Sequence, residues 1–291
     1  MTIARIGVVG AGMMGSEIAL VFALGGFDTL LSDRDKAYAE AALERLRGLL
    51  DKGVPRGFWT EQQAADALQR LKVADGLADY ADRDLVIEAV FEDETIKAAV
   101  FRELDGIVGA DCLLASNTSS ISISVLAGHL PEARRERFLG AHFFSPVSRM
   151  KLVEVIPGMD TAASTVEAVS AVLQAVGKAP VPVKDVVGFA VNRLLHTFFI
   201  EAVRLVEEGV ATPQDIDTAC KLGLGHPVGP FELMDGVTNG LSLEVQEILY
   251  EAYGERFLPR PLLKQLVKAG YNGRKAGRGW YRYDETGKRR S

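Results

Sequence analysis

A glycine-rich turn near the start of the chain constrains the fold more than any other feature. It reads GAGMMG at residues 10–15, follows the apolar run 3–9, and opens a helical pattern that leads to a second apolar run ending at Asp33. In such a strand–turn–helix–strand arrangement, free N–H groups at the helix start bind a pyrophosphate, which the missing side chains allow to come close. The motif alone is weak, but its place after a strand favours a dinucleotide site over a structural turn. The candidate cofactor contacts in the turn are Gly10, Gly12, Met13, Met14 and Gly15.

Asp33 indicates which dinucleotide binds. It ends the second apolar run, where a carboxylate accepts hydrogen bonds from the adenosine ribose hydroxyls and repels a 2′-phosphate. The predicted cofactor is therefore NAD. Arg34 is the residue that favours NADP, because a guanidinium binds such a phosphate well.

The order of the predicted elements indicates the fold class. Helical patterns alternate with short apolar runs, which predicts a doubly wound parallel sheet of the Rossmann type. A charged helical hairpin is expected at about 36–72, with a break near 53–57, and after residue 185 the patterns are only helical. We therefore expect an NAD-binding domain at 1–186 and an all-α substrate and dimerisation domain at 187–291. The predicted strands after the second are residues 85–90, 113–116, 138–144, 152–156 and 180–183.

The composition excludes several classes of protein. The chain has 291 residues, 48% hydrophobic and 25% charged, as in globular proteins. It has no run of 18 apolar residues, and its net charge of −6 argues against nucleic acid as the main partner. Cys112 and Cys220 have neither disulfide nor metal-site spacing. We expect no metal, no membrane partner and a reducing, cytoplasmic setting.

His142 and Glu154 are the candidates for acid–base chemistry. His142 lies at the end of a predicted strand, where open α/β sheets bind their ligands. Glu154 lies among aliphatic residues, and a lone carboxylate there is costly unless it is paired. If the two pair, the carboxylate fixes the imidazole tautomer and stabilises the cation formed when histidine takes a proton. From these residues alone, a catalytic pair and a core histidine are equally well supported.

Seven segments in order resemble the L-3-hydroxyacyl-CoA dehydrogenase family, which includes the 3-hydroxybutyryl-CoA dehydrogenases. The resemblance covers essentially the whole chain, and several motifs in one order are more specific than any single motif. The segments are the glycine turn with Asp33, VIEAVFE at 86–92, SNTSS at 116–120, residues 142–156, GFAVNR at 188–193, GPFEL at 229–233 and GRGWY at 277–281.

The resemblance implies NAD-dependent oxidation of an L-3-hydroxyacyl-CoA to a 3-ketoacyl-CoA. It implies that His142 is the general base, oriented by Glu154, that Ser119 hydrogen-bonds the substrate near the nicotinamide, and that Asn192 approaches the reacting oxygen. The implied coenzyme contacts also include Glu92, Lys97 and Lys275. The hairpin corresponds to the segment along which coenzyme A lies, so its basic residues are candidate phosphate contacts: Arg45, Arg47, Lys52 and Arg56.

Several of these residues also have structural interpretations. Thr118 and Ser119 suit a helix cap, Lys97 suits a solvated helix surface, and the hairpin charges suit solvent. Ser145 departs from the family's commonest form, which has asparagine there; serine is similar to the version in fused multifunctional β-oxidation proteins. Ser145 stays a candidate cofactor contact.

Two other functions are compatible with the fold. A dehydrogenase of a free 3-hydroxy acid typically has a lysine base on the first long helix of its second domain. Here that helix carries Asn192, and the second domain has no lysine before Lys221. A non-catalytic NAD-binding protein would have lost part of the set Ser119, His142, Glu154 and Asn192, which is complete. The apolar helix predicted at 189–208 has more apolar surface than its domain readily hides, which predicts a homodimer.

Overall fold

A computed structural model describes residues 3–290 of the chain. It divides into two compact units, Met1–Val186 and Val187–Ser291. Across residues 3–290, none of the helices combines the length and the apolar character needed to cross a bilayer.

One sheet forms the centre of the first unit. Its strands are β1 (Arg5–Val9), β2 (Asp28–Ser32), β3 (Leu71–Val73), β4 (Leu85–Glu88), β5 (Leu113–Ser116), β6 (Phe138–Phe143), β7 (Leu152–Pro157) and β8 (Ala179–Pro182). Within the described part of this unit, the eight strands lie in the order β3-β2-β1-β4-β5-β6-β7-β8. The first six positions repeat the strand order of dinucleotide-binding folds. The predicted Rossmann-type class is confirmed.

The far edge of the sheet differs from the prediction. β7 pairs antiparallel with β6, and β8 then runs parallel to β7. The sequence predicts a parallel sheet, and the antiparallel pairing of β6 with β7 is the one departure from it among the described strands. Only residues 144–151 join β6 to β7, and a parallel crossover needs a dozen or more residues. β3 was also missed, because its three residues directly follow a helix.

Helices cover the sheet and form the hairpin. They are α1 (Met13–Leu24), α2 (Lys36–Gly53), α3 (Glu61–Arg70), α4 (Glu94–Asp105), α5 (Ile123–Gly128), α6 (Glu132–Arg135) and α7 (Ala163–Ala175). α1 is apolar and buried over most of its surface, with Ile18, Leu20 and Phe22 fully inaccessible. α2 and α3 form the helical hairpin, separated by a 3₁₀ turn and restarted by a capping box between Thr60 and Gln63.

The second unit is helical. Its helices are α8 (Val191–Glu207), α9 (Pro213–Gly223), α10 (Pro230–Val237), α11 (Asn239–Tyr253) and α12 (Pro261–Lys268). Phe199, Phe231 and Met234 lie in its core. Thr212 caps α9, because its hydroxyl accepts a hydrogen bond from the Asp215 N–H.

Buried Asp235 holds the C-terminal segment of this unit. Its carboxylate accepts hydrogen bonds from the N–H groups of Trp280 and Tyr281 at 2.9 and 3.0 Å and from the Tyr283 hydroxyl at 2.9 Å. These bonds tie the segment that carries Lys275 to α10.

Candidate active site

The glycine turn joins β1 to α1, and glycine is present at its three positions for different structural reasons. Gly10 has a φ of 104°, and a Cβ there would lie 2.5 Å from the Ala89 carbonyl oxygen. A Cβ on Gly15 would lie 1.8 Å from the carbonyl oxygen of Gly10. A Cβ on the exposed Gly12 would meet nothing within 4 Å. The fold therefore requires Gly10 and Gly15, while Gly12 leaves open space at the helix start, where a pyrophosphate fits.

Met13 and Met14 begin α1 directly after this space. Met13 is exposed and Met14 is half-buried. Asp33 follows β2, and its carboxylate accepts hydrogen bonds from the N–H groups of Ala11 and Arg34 at 2.7 and 2.8 Å. Arg45 of the hairpin donates to the Ala11 carbonyl oxygen at 3.0 Å. The turn is thus held from both sides, and Arg45 is not a merely solvated charge.

His142 and Glu154 face each other across β6 and β7. The antiparallel register pairs them directly, and His142 Nδ1 lies 2.8 Å from Glu154 Oε2. The exposed fractions are 6% for His142 and 1% for Glu154. A carboxylate in this position favours the tautomer with a proton on Nδ1 and stabilises an imidazolium. The arrangement suits a general base at the carboxyl end of β6.

Glu92 accepts several hydrogen bonds from the loop that carries Ser119. Its Oε1 accepts hydrogen bonds from the Thr118 hydroxyl at 2.6 Å and from the N–H groups of Ser119 and Ser120 at 2.7 and 2.9 Å. The Ser119 and Ser120 hydroxyls also lie 3.1 and 3.0 Å from this oxygen. The cap of the next helix is supplied by Ser122, so neither Thr118 nor Ser119 is needed for it.

Lys97 is buried, so its interpretation as solvated helix surface is wrong. The side chain is 1% exposed, and Nζ lies 2.7 Å from Glu88 Oε1 and 3.3 Å from Glu92 Oε2. Burial raises the pKa of Glu88, although Lys97 and Ser116 oppose the shift. Burial also acts to raise the pKa of Glu92, but the charge of Lys97 and the bond from Thr118 outweigh it and hold that pKa below its ordinary value.

The other predicted site residues lie in several elements. Ser145 follows β6 and is exposed, with its hydroxyl 3.8 Å from the sulfur of Met13. Arg56 is exposed in the 3₁₀ turn of the hairpin. In the second unit, Asn192 is half-buried in the first turn of α8, and Lys275 is exposed in a 3₁₀ turn at Arg274–Ala276.

Two family models match consecutive parts of the chain. Residues 5–186 match the NAD binding domain of 3-hydroxyacyl-CoA dehydrogenase, and residues 188–283 match its C-terminal domain. The chain belongs to the 3-hydroxyacyl-CoA dehydrogenase family. It is accordingly an NAD-dependent oxidoreductase.

Several members of the family are similar over their whole length. A 3-hydroxybutyryl-CoA dehydrogenase of Mycobacterium tuberculosis is 42% identical over 287 residues, which cover 97% of this chain and 99% of that protein. A probable 3-hydroxybutyryl-CoA dehydrogenase of Deinococcus radiodurans is 40% identical, with 96% of this chain and 100% of the relative covered. The crystal structure of (S)-3-hydroxybutyryl-CoA dehydrogenase from Ralstonia eutropha has a TM-score of 0.93 at 40% identity, covering 98% of this chain and 100% of the other.

Two polar residues beside the site are not among the site residues that the sequence predicted. Glu88 ends β4 and is fully buried, and Ser116 ends β5 and donates to it at 2.7 Å. Glu88 lies among aliphatic residues in the sequence, which is the same pattern that drew attention to Glu154. Glu88 was therefore open to prediction from the sequence.

Proposed function

We propose that the protein oxidises short L-3-hydroxyacyl-CoA esters, such as 3-hydroxybutyryl-CoA, reversibly to 3-ketoacyl-CoA, with His142 as the general base. The observation that carries the catalytic assignment is the buried His142–Glu154 pair at the carboxyl end of β6. The names of the full-length relatives support the short acyl chain.

The roles of the chain's own groups follow from their chemistry. NAD, when bound, supplies the nicotinamide that accepts the hydride from C3 of the substrate. His142 takes the proton of the C3 hydroxyl, and Glu154 stabilises the resulting imidazolium. We assign to Ser119, and also to Asn192, a hydrogen bond to the reacting C3 oxygen of the substrate. General-base assistance of this kind contributes roughly 10²- to 10⁴-fold to the rate.

Binding of the coenzyme is assigned to groups around the glycine turn. The helix start at Gly12 receives the pyrophosphate, and Asp33 receives the ribose hydroxyls. Met13, Met14, Glu92, Lys97, Ser145 and Lys275 remain predicted contacts, as does Arg56 for the coenzyme A phosphates. The turn has room for a pyrophosphate, because a Cβ on Gly12 would meet no atom of the chain within 4 Å.

NADH oxidation with acetoacetyl-CoA tests this function. The assay is run beside NADPH, beside free acetoacetate and beside longer 3-ketoacyl-CoA esters. We expect turnover of acetoacetyl-CoA with NADH, and none with NADPH or with free acetoacetate. His142→Ala should lower kcat by about 10²- to 10⁴-fold. Activity with free acetoacetate would instead support a dehydrogenase of a free 3-hydroxy acid. Inactivity with every ester would favour a non-catalytic NAD-binding protein. An unimpaired His142→Ala enzyme would refute the assignment of the base.

We also propose a homodimer through the helical unit, in a cytoplasmic setting. Leu194, Leu222 and Leu224 are each more than half exposed, and burying them against a second copy would remove this apolar surface from water. Cys112 and Cys220 are free thiols, which suits a reducing compartment. Light scattering at micromolar concentration should give twice the mass of the chain; the mass of one chain would contradict the dimer.

A further inference from the structure

Glu88 is a buried carboxylate for which the proposed function has no role. It is 0% exposed at the end of β4. Its Oε1 accepts hydrogen bonds from the Val90 N–H at 2.6 Å and from Lys97 Nζ at 2.7 Å, and its Oε2 accepts one from the Ser116 hydroxyl at 2.7 Å. Burying a carboxylate is costly even when it is paired, so a fully bonded Glu88 calls for an explanation beyond packing.

Lys97 connects Glu88 to Glu92. The single ammonium lies between two carboxylates, nearer to Glu88 at 2.7 Å than to Glu92 at 3.3 Å. Glu88 therefore decides how far the ammonium approaches Glu92. Glu92 in turn binds the N–H groups and hydroxyls of Ser119 and Ser120.

Ser116 makes a second connection to the same loop. Its hydroxyl donates to Glu88 and accepts a hydrogen bond from the Thr118 N–H at 3.2 Å. The Thr118 hydroxyl then donates to Glu92. The loop that carries Ser119 is thus held from one side through Lys97 and Glu92 and from the other through Ser116, and both routes begin at Glu88.

We propose that Glu88 is a positioning residue, which through Lys97 and Ser116 keeps the Glu92 carboxylate and Ser119 in place for coenzyme and substrate. The part that concerns substrate rests on the proposed function, whereas the part that concerns NADH binding does not. The alternative is that the ion pair only stabilises the fold. If the ion pair is only structural, replacing it with a neutral pair restores both stability and kcat. If Glu88 is a positioning residue, the neutral pair restores stability but not kcat.

Glu88→Gln is the first variant, because it keeps the shape and removes the charge. The ammonium of Lys97 then moves towards Glu92 and competes for the oxygens that hold Ser119. We expect kcat with acetoacetyl-CoA to fall about 10- to 100-fold, as for the loss of a hydrogen bond to a charged group. A kcat and an NADH Kd both within threefold of the wild type would overturn the proposal.

The double variant Glu88→Gln with Lys97→Met separates positioning from stability. A neutral pair of similar volume commonly replaces a buried ion pair without loss of stability, so the Tm should return towards that of the wild type. Under the proposal kcat in this enzyme stays low and below that of Lys97→Met alone, a variant measured beside it because Lys97 is itself a predicted coenzyme contact. Recovery of both Tm and kcat would show that the pair is only structural and would overturn the proposal.

The pH dependence of NADH binding gives a readout that a structural role would not move. Loss of the Glu88 charge leaves the Lys97 ammonium paired with Glu92 alone, which lowers the pKa of Glu92 further. NADH binding by Glu88→Gln should therefore weaken on acidification at a lower pH than in the wild type. In the described chain Lys97 pairs with Glu92, Glu88 pairs with the same ammonium, and Asp93 and Glu94 follow Glu92 in the sequence, with His129 bonded to Glu94. An unshifted profile would count against the proposal.

Two further variants control the experiment. His129→Gln removes the histidine, which bonds to Glu94 at 3.0 Å rather than to Glu92, and should leave the pH profile unchanged. Ser116→Ala leaves the ion pair intact and removes only the second connection, so kcat should fall about 3- to 10-fold even if the charged variants fail to fold. An unchanged kcat in Ser116→Ala would overturn that connection. If the wild type turns over no CoA ester, the proposed function fails while the NADH titrations still test Glu88.

Discussion

Glu154→Gln is the sharpest test of the catalytic pair. The carboxylate is 1% exposed and lies 2.8 Å from His142 Nδ1, so water cannot replace it when its charge is removed. A hydrogen bond to a charged group is worth about 1.5–3 kcal/mol, and each 1.36 kcal/mol is tenfold in rate. Loss of the charge alone should therefore lower kcat about 10- to 150-fold.

The amide has a second effect that depends on its orientation. If its N–H faces Nδ1, the imidazole is held in the tautomer with its proton on the other nitrogen, and a general base cannot then accept the substrate proton there. The corresponding amide replacement in serine proteases costs about 10⁴-fold. We therefore expect a loss between about 10- and 10⁴-fold in kcat, with little change in the Kd for NADH.

The assay is the steady-state oxidation of NADH with saturating acetoacetyl-CoA, with NADH binding followed separately by fluorescence. Asp84→Asn is the matched control, because Asp84 is also a mostly buried carboxylate of the same unit but lies at the amino end of β4. Its kcat should stay within twofold of the wild type. A Glu154→Gln enzyme with kcat within threefold of the wild type would refute the argument.

Three further predictions concern the coenzyme site and stability. Gly12→Ala should fold normally but weaken NADH binding at least tenfold, whereas Gly15→Ala should lower Tm markedly, because only the second Cβ meets backbone, at 1.8 Å. Asp33→Ala should raise KM for NADH about tenfold and lower KM for NADPH, since it removes acceptors for the ribose and a charge that repels the phosphate. Asp84→Asn should lower the free energy of unfolding by about 1 kcal/mol at neutral pH, measured by urea denaturation, with the difference lost on acidification.

The sign of the last prediction follows from the folded state. Burial acts to raise the pKa of Asp84, but the hydrogen bonds from Arg5 and from the N–H of Ala4 outweigh it, so the pKa lies below its ordinary value. A depressed pKa stabilises the fold above the unfolded value, and this stabilisation is lost as pH falls through the folded value. A difference that persists unchanged at acid pH would contradict this account. Equal Tm values for the two glycine variants would contradict the steric argument, and unchanged KM values in Asp33→Ala would contradict the role of the carboxylate.

Local patterns were sufficient for much of the fold. The glycine turn and the apolar runs on either side of it involve residues close in the chain, so the sequence predicts them with small errors at their ends. The strand at Leu113–Ser116 is predicted to the residue. The helical hairpin and its break also follow from local spacing, whereas β3 is too short to give a pattern.

The sequence by itself determined the order of the elements, the glycine turn with Asp33 and the identity of the candidate catalytic groups, because these depend on residue type and short spacing. Only the tertiary structure decided that β7 runs antiparallel to β6, and that register turns a separation of 12 residues into the direct pairing of His142 with Glu154. It likewise decided that Lys97 is buried between Glu88 and Glu92. Contacts of this kind depend on how strands and loops distant in the chain meet, and only packing sets the distances and the desolvation that give the charges their chemistry.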